Sequence, residues 1–190
     1  SALAGAGGAP LAAIALGQGD REKAERITGN VFTLLCVFSA IIMLVFYAAQ
    51  KSFLYLVGAS DATYPYASEY LSIYLIGTIC VQIVLGLNPF ITAQGQSKTA
   101  MGSVLIGAAL NIVLDPIFIF VFHMGVKGAA LATILSQLAG AIWVLRFMTS
   151  KKTALRLKCA CLRPDFHQIG AILSLGMAPF IMQSTESLIS

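Results

Sequence analysis

Asp115 stands where a carboxylate is expensive. It lies in the run Asn111-Ile-Val-Leu-Asp115-Pro116-Ile-Phe-Ile-Phe, and no other formal charge occurs between Lys98 and Lys127. That interval is long enough to cross a bilayer. A bare carboxylate in such a span costs about 2.5–3.5 kcal/mol on insertion scales, so it needs a partner or a function. Asn111 lies one helical turn earlier on the same face. Pro116 has no N–H to donate, which frees the carbonyl of Ile112. A carboxylate, an amide oxygen and a free carbonyl are the hard oxygen donors a small cation prefers. A protonated Asp115 bonded to Asn111 would satisfy the same pocket. The alternative is plain interhelical hydrogen bonding, worth about 0.6 kcal/mol on average.

Two spans must position these groups. In the first, Thr99 to Phe122, the residues Ser103, Gly107, Asn111 and Asp115 recur every four positions and form a small, polar stripe. In the second, Gly128 to Leu145, the residues Gly128, Ala132, Ser136 and Gly140 form a matching small-residue seam, flanked by Thr133 and Gln137. The short turn His123-Met-Gly-Val-Lys127 makes the two helices antiparallel neighbours. At about 1.5 Å per residue, Asp115 and Thr133 fall at similar depths, roughly 10 Å from that turn. Thr133 therefore adds a hydroxyl to the oxygen set.

The rest of the chain fits the same picture. Of 190 residues, 58% are hydrophobic and 11% charged, with a mean hydropathy of +0.85. A soluble domain carries about 25% charged residues, so this composition predicts an all-α integral membrane protein, a polytopic bundle of transmembrane helices in contact with the lipid bilayer. Charge-free runs at 27–50, 70–97 and 128–145, and the run 99–122 with Asp115 as its one charge, give four complete spans, with partial spans at 1–17 and 169–190. The 70–97 run is interrupted late by Asn88-Pro89, and 51–69 reads as an amphipathic connection with tyrosines at its edges. Both chain ends fall inside apolar runs, as expected of a piece of a longer transporter.

The net charge of +4 reflects topology and does not point to nucleic acid. Arg21, Lys23, Arg26, Lys98, Arg146, Lys151, Lys152, Arg156, Lys158 and Arg163 fall on one side of the alternating connections, and Lys51 and Lys127 on the other. By the positive-inside rule the first side is cytoplasmic. Asp20 is placed to cap the helix after Gly17-Gln-Gly. His123 ends a span and reads as interfacial, and Glu186 is a second ionisable residue in an apolar run. Cys159-x-Cys161 has no second pair to make a metal site. No nucleophile–base set or phosphate loop suggests an enzyme.

Several motifs, in order, resemble the multidrug and toxic compound extrusion (MATE) transporters. They are Gly17-x-Gly19-Asp20-x-x-x-Ala24, Pro89 through Gln94-Gly95, Asn111-x-x-x-Asp115-Pro116, Gly125-x-x-Gly128-Ala129-Ala130 and Gly176-x-x-Pro179. The sequence is most similar to the bacterial branch containing the DinF-like proteins. The resemblance implies a piece of a twelve-helix, two-lobe transporter. Residues 1–148 would belong to the N-terminal six-helix lobe, from the end of helix 2 through helix 6. Residues 149–165 would form the cytoplasmic inter-lobe loop, and 166–190 would begin helix 7 of the C-terminal lobe.

It further implies a monomeric, multi-pass antiporter of the bacterial inner membrane. Such a protein exports organic, often cationic compounds in exchange for Na⁺ or H⁺, with no cofactor. By resemblance the coupling-ion site is Asn111, Asp115 and Thr133, with Glu186 as a secondary ion or substrate residue; Gln137, from its place beside the seam, is a further candidate for that secondary role. Two alternatives are a lipid-linked oligosaccharide flippase of related fold, which would favour a more cationic cavity, and a membrane scaffold that transports nothing.

Overall fold

The computed structural model describes residues 2–151, 153–157 and 165–189. The chain forms α1 (Ala2–Gly17), α2 (Arg21–Ala48), α3 (Gln50–Leu56), α4 (Tyr64–Ala93), α5 (Ser97–Pro116), a π-helical segment (Ile117–Val121), α6 (Gly125–Thr149) and α7 (Phe166–Ile189). Among the described residues, four continuous helical stretches are long and apolar enough to cross a membrane: Arg21–Ala48, Tyr64–Ala93, Ser97–Val121 and Gly125–Thr149. They overlap the four complete spans read from the sequence. The motif Cys159-x-Cys161 lies outside the described residues.

Local chemistry sets the helix ends. Asp20 caps α2 by accepting from the Lys23 N–H at 3.0 Å, as the sequence predicts. Gly19 and Gly95 adopt φ of +79° and +78° in the turns before α2 and α5, a conformation glycine reaches without steric penalty. Three features differ from expectation. The 51–69 connection contains the short helix α3, and α4 begins at Tyr64, with Pro65 in its first turn. Asn88-Pro89 does not interrupt α4, which runs on to Ala93. A proline near a helix end removes only one ladder bond, and the Thr92 hydroxyl donates to the Asn88 carbonyl at 3.0 Å.

In that outer connection the Tyr55 hydroxyl donates to Asp61 at 2.7 Å. This bond, together with desolvation and the nearby Asp61 charge, pushes the Tyr55 phenol above the ordinary tyrosine range.

Packing is by close approach of small residues, the expected mode where lipid removes the hydrophobic drive between helices. A side chain on Gly5 would lie 2.7 Å from the Gly86 carbonyl, and one on Gly140 would lie 3.2 Å from that of Ser103. The core runs along α1, α2, α4 and α6, with Leu35, Leu87, Phe90, Ile91, Val144 and Met148 fully buried. The α4–α6 interface is extensive, and α5 packs beside it on α6. Outward faces stay apolar, for example Leu44 at 69% and Ile112 at 73% exposed, which is what lipid contact requires. Among the described residues, Arg21, Lys23, Arg26, Lys98, Arg146, Lys151 and Arg156 gather at one end of the bundle, the basic end. The α5–α6 turn lies at the other.

Candidate ion-binding site

The α5–α6 seam is built from the two stripes read in the sequence. Gly107 packs against the Ser136 carbonyl and Gly140 against that of Ser103, which places the helices antiparallel and in close contact. Moving along the seam from these contacts brings Asn111 level with Thr133. The Asn111 amide nitrogen faces two oxygens, the Asp115 carboxylate at 3.4 Å and the Thr133 hydroxyl at 3.5 Å. Thr133 in turn donates to the Ala129 carbonyl at 2.9 Å. One carboxylate, one amide, one hydroxyl and one backbone carbonyl therefore meet across two helices.

The geometry separates firm bonds from loose ones. The Thr133 bond to Ala129 has ordinary length, whereas both Asn111 bonds are near the limit of hydrogen bonding. The hydroxyl proton of Thr133 is committed to its own helix, which leaves its lone pairs turned outward to accept. Asn111 and Asp115 are half-buried, neither sealed in the core nor open to bulk water. Directly after Pro116 the backbone widens into the π-helical segment. A proline cannot continue the ladder, and π-turns relieve such gaps, often beside functional residues. Gly128, at the start of α6, takes the close contact with this segment; a Cβ there would lie 2.8 Å from the Phe118 carbonyl.

Three of the five residues named from sequence thus meet. Gln137 lies one turn beyond Thr133 on α6, half-buried. Glu186 belongs to another place. It lines a cavity of about 400 Å³ between α1, α4 and α7, with Ala6, Leu85, Pro89, Pro179, Met182 and Gln183. His123 lies in the turn two residues after the π-helical segment, at φ +52°.

Two members were missed. The Ala129 carbonyl is a backbone group with no letter of its own, although a threonine four residues later is a cue for such bonding. The second is a polar junction nearer the basic end. There Asn88 of α4 donates to the Ser103 hydroxyl at 3.0 Å, and Ser103 bonds the Ala100 carbonyl at 2.7 Å. Ser103 was read as part of the stripe, but nothing local indicated its partner on α4.

The MatE family profile matches residues 1–117, more than half of the chain. The chain belongs to the MATE family. It is 28% identical to the multidrug export protein MepA of Staphylococcus haemolyticus over 180 residues, which are 95% of this chain and 40% of that protein. A MATE crystal structure in the bent conformation superposes with a TM-score of 0.91 at 27% identity, over 98% of this chain and 42% of the other. The inward-facing conformation of a multidrug resistance MATE family transporter of the MOP superfamily gives 0.86 at 27% identity, over 93% and 40%. The chain spans about 40% of the length of the curated relatives it matches. Family membership and the four apolar helices make it a multi-pass membrane protein with the helical architecture of part of a MATE transporter.

Proposed function

We propose that this chain is part of a cation-coupled antiporter that exports organic, often cationic compounds from the bacterial cell, with Na⁺ or H⁺ as the ion moved in exchange. The observation that carries the reading is the Asn111 amide held between Asp115 and Thr133 across the α5–α6 seam. On this reading residues 1–148 belong to the first lobe, 149–165 join the lobes, and 166–190 open the second.

The chemistry follows from the oxygen set. Asp115 supplies the formal charge. Asn111 can turn its amide so that oxygen, not nitrogen, faces an arriving cation. Thr133 offers lone pairs because its proton already serves Ala129. A proton needs less, since neutralised Asp115 can bond Asn111 or Thr133 directly. Either ion neutralises the half-buried charge in the seam and lets α5 and α6 close further against each other. That makes packing depend on occupancy, the differential contact any population shift requires. One charge moved inward across 100 mV supplies about 2.3 kcal/mol to drive export. Glu186, in its separate cavity beside α7, is a carboxylate suited to an organic cation, and Gln137 is a neutral polar group below the ion site.

The test is drug efflux by the full-length protein in vesicles with an imposed Na⁺ or H⁺ gradient. Wild-type protein should accumulate a fluorescent cation against its gradient in response to one of the two ions, and Asp115→Asn should not. Unchanged ion-driven transport by Asp115→Asn would refute the proposal.

A further inference from the structure

Helix α7 packs along α1, with Gly7 against the Ile172 carbonyl and Ile172 fully buried, while its start is held to α2 by a buried amide. Asn30 of α2 is 1% exposed, and both ends of its side chain are used. Its oxygen accepts from the Asp165 N–H at 3.2 Å, and its nitrogen donates to the Gln168 side-chain oxygen at 2.9 Å. Asp165 also accepts from the His167 N–H at 3.1 Å, which fixes the first turn of α7. An asparagine inside an apolar bundle is costly unless both ends are bonded. Here the groups that bond it lie more than 130 positions away, across the connection between α6 and α7.

Two further features bear on how this contact behaves. The connection leaving α6 is itself anchored, because the Gln94 oxygen accepts from the Thr153 hydroxyl at 2.7 Å and the Ala154 N–H at 2.8 Å. Leu155 is fully buried in the core beside it. That end belongs to the bundle. On the α7 side, Gln168 lines a cavity of about 330 Å³ together with Asp20, Glu22, Lys23 and Arg26. Its polar, charged lining suits water, which can take over the bonds of Gln168 when they break. The Asn30 contact is thus a firm polar bond with a solvated side, of a kind that opens and closes at modest cost.

We propose that Asn30 and Gln168 form a conformational latch, which holds the start of α7 against α2 in the state closed at the basic end and releases it when that end opens. The latch rests on the alternating-access reading above. The Gln94 anchor keeps the linker's first half in place, so that the latch can re-form. Two hydrogen bonds of ordinary net strength bias a two-state equilibrium about 5- to 30-fold.

The experiment uses full-length transporter in lipid, its native cysteines replaced, with spin labels at Lys98→Cys on α5 and Ala171→Cys on α7. Both positions are exposed. Distances are recorded by pulsed electron resonance without drug or ion gradient. Asn30→Ala should move the population toward the longer distance by about 5- to 30-fold. Gln168→Ala, a milder change at a half-buried site, should do so in part. Gln168→Glu still accepts from Asn30 and should leave the distribution as in wild type. Unchanged distances in both alanine variants would overturn the latch, and so would a shift in Gln168→Glu equal to that in Gln168→Ala. Because no transport is measured, a shift here alongside normal ion-driven efflux by Asp115→Asn would keep the latch and reject the ion site.

Discussion

The two ends of the α5 stripe use similar residues and arrive at opposite outcomes. Toward the basic end, Ser103 is 1% exposed, bonds Asn88 at 3.0 Å and Ala100 at 2.7 Å, and sits against Gly140. Every group there is neutral, and the helix is regular. Toward the far end, Asn111 spans 3.4 and 3.5 Å to Asp115 and Thr133, both side chains of the stripe are half-buried, and the helix breaks register after Pro116. Tight neutral bonds make a joint. Loose bonds around a charge beside irregular backbone make a place where something can enter. If the ion site lies where proposed, bond length and backbone regularity, more than residue type, separate a structural polar pair from a working one.

The strongest way to break this comparison is to remove the charge. If Asp115 carries the coupling charge, Asp115→Asn forfeits about 2.3 kcal/mol per 100 mV. That corresponds to roughly a 50-fold smaller drug gradient sustained by the full-length protein, measured as steady-state accumulation in vesicles. The fold should persist, since a neutral amide in a span is cheaper than a carboxylate.

Gly128→Ala attacks the backbone irregularity instead. The added methyl meets the Phe118 carbonyl, so the π-helical segment must shift, at about 1–3 kcal/mol of overpacking. Thermal unfolding in detergent should fall accordingly, and ion-driven efflux should fall with it.

Thr133→Val keeps the shape and deletes the hydroxyl. Losing one acceptor of ordinary strength, about 0.5–1.5 kcal/mol, weakens ion affinity by roughly 2- to 12-fold. The half-saturating ion concentration for efflux should rise by that factor, and Thr133→Ser should restore it.

The smallest effect is expected at the tight end. Asn88→Ala leaves Ser103 its bond to Ala100 and should cost about 0.6 kcal/mol of stability, with the half-saturating ion concentration unchanged. A large shift in that concentration would erase the distinction between the two ends.

Much of this arrangement was legible in the sequence because lipid imposes simple rules. Runs of span length with at most one charge gave the helices, and the four-residue recurrence from Ser103 to Asp115 gave the polar face. A short turn then implied a similar depth for Thr133 and Asp115; the structure sets Thr133 level with Asn111, one turn away. What escaped detection has a physical cause in each case. The π-helical segment Ile117–Val121 is an unbroken apolar run whose only cue is the proline before it. The Ala129 carbonyl is a backbone group. Asn88 with Ser103, and Asn30 with Gln168, are pairs between helices whose facing sides no local pattern specifies. Helix α3 is too short, at seven residues, for periodicity to reveal it. Glu186 was read as an ionisable group in a span, but only packing against α1 and α4 placed it in a cavity of its own.

The central claim, that the loose end of the stripe binds the coupling ion, is tested most directly by equilibrium binding. Full-length protein in detergent is titrated with radiolabelled Na⁺ at high pH, and proton uptake is followed in parallel without Na⁺. Wild type and Asn88→Ala should bind the same ion with the same affinity, while Asp115→Asn should lose that binding. Undiminished binding by Asp115→Asn, or loss of binding in Asn88→Ala with its fold intact, would contradict the account.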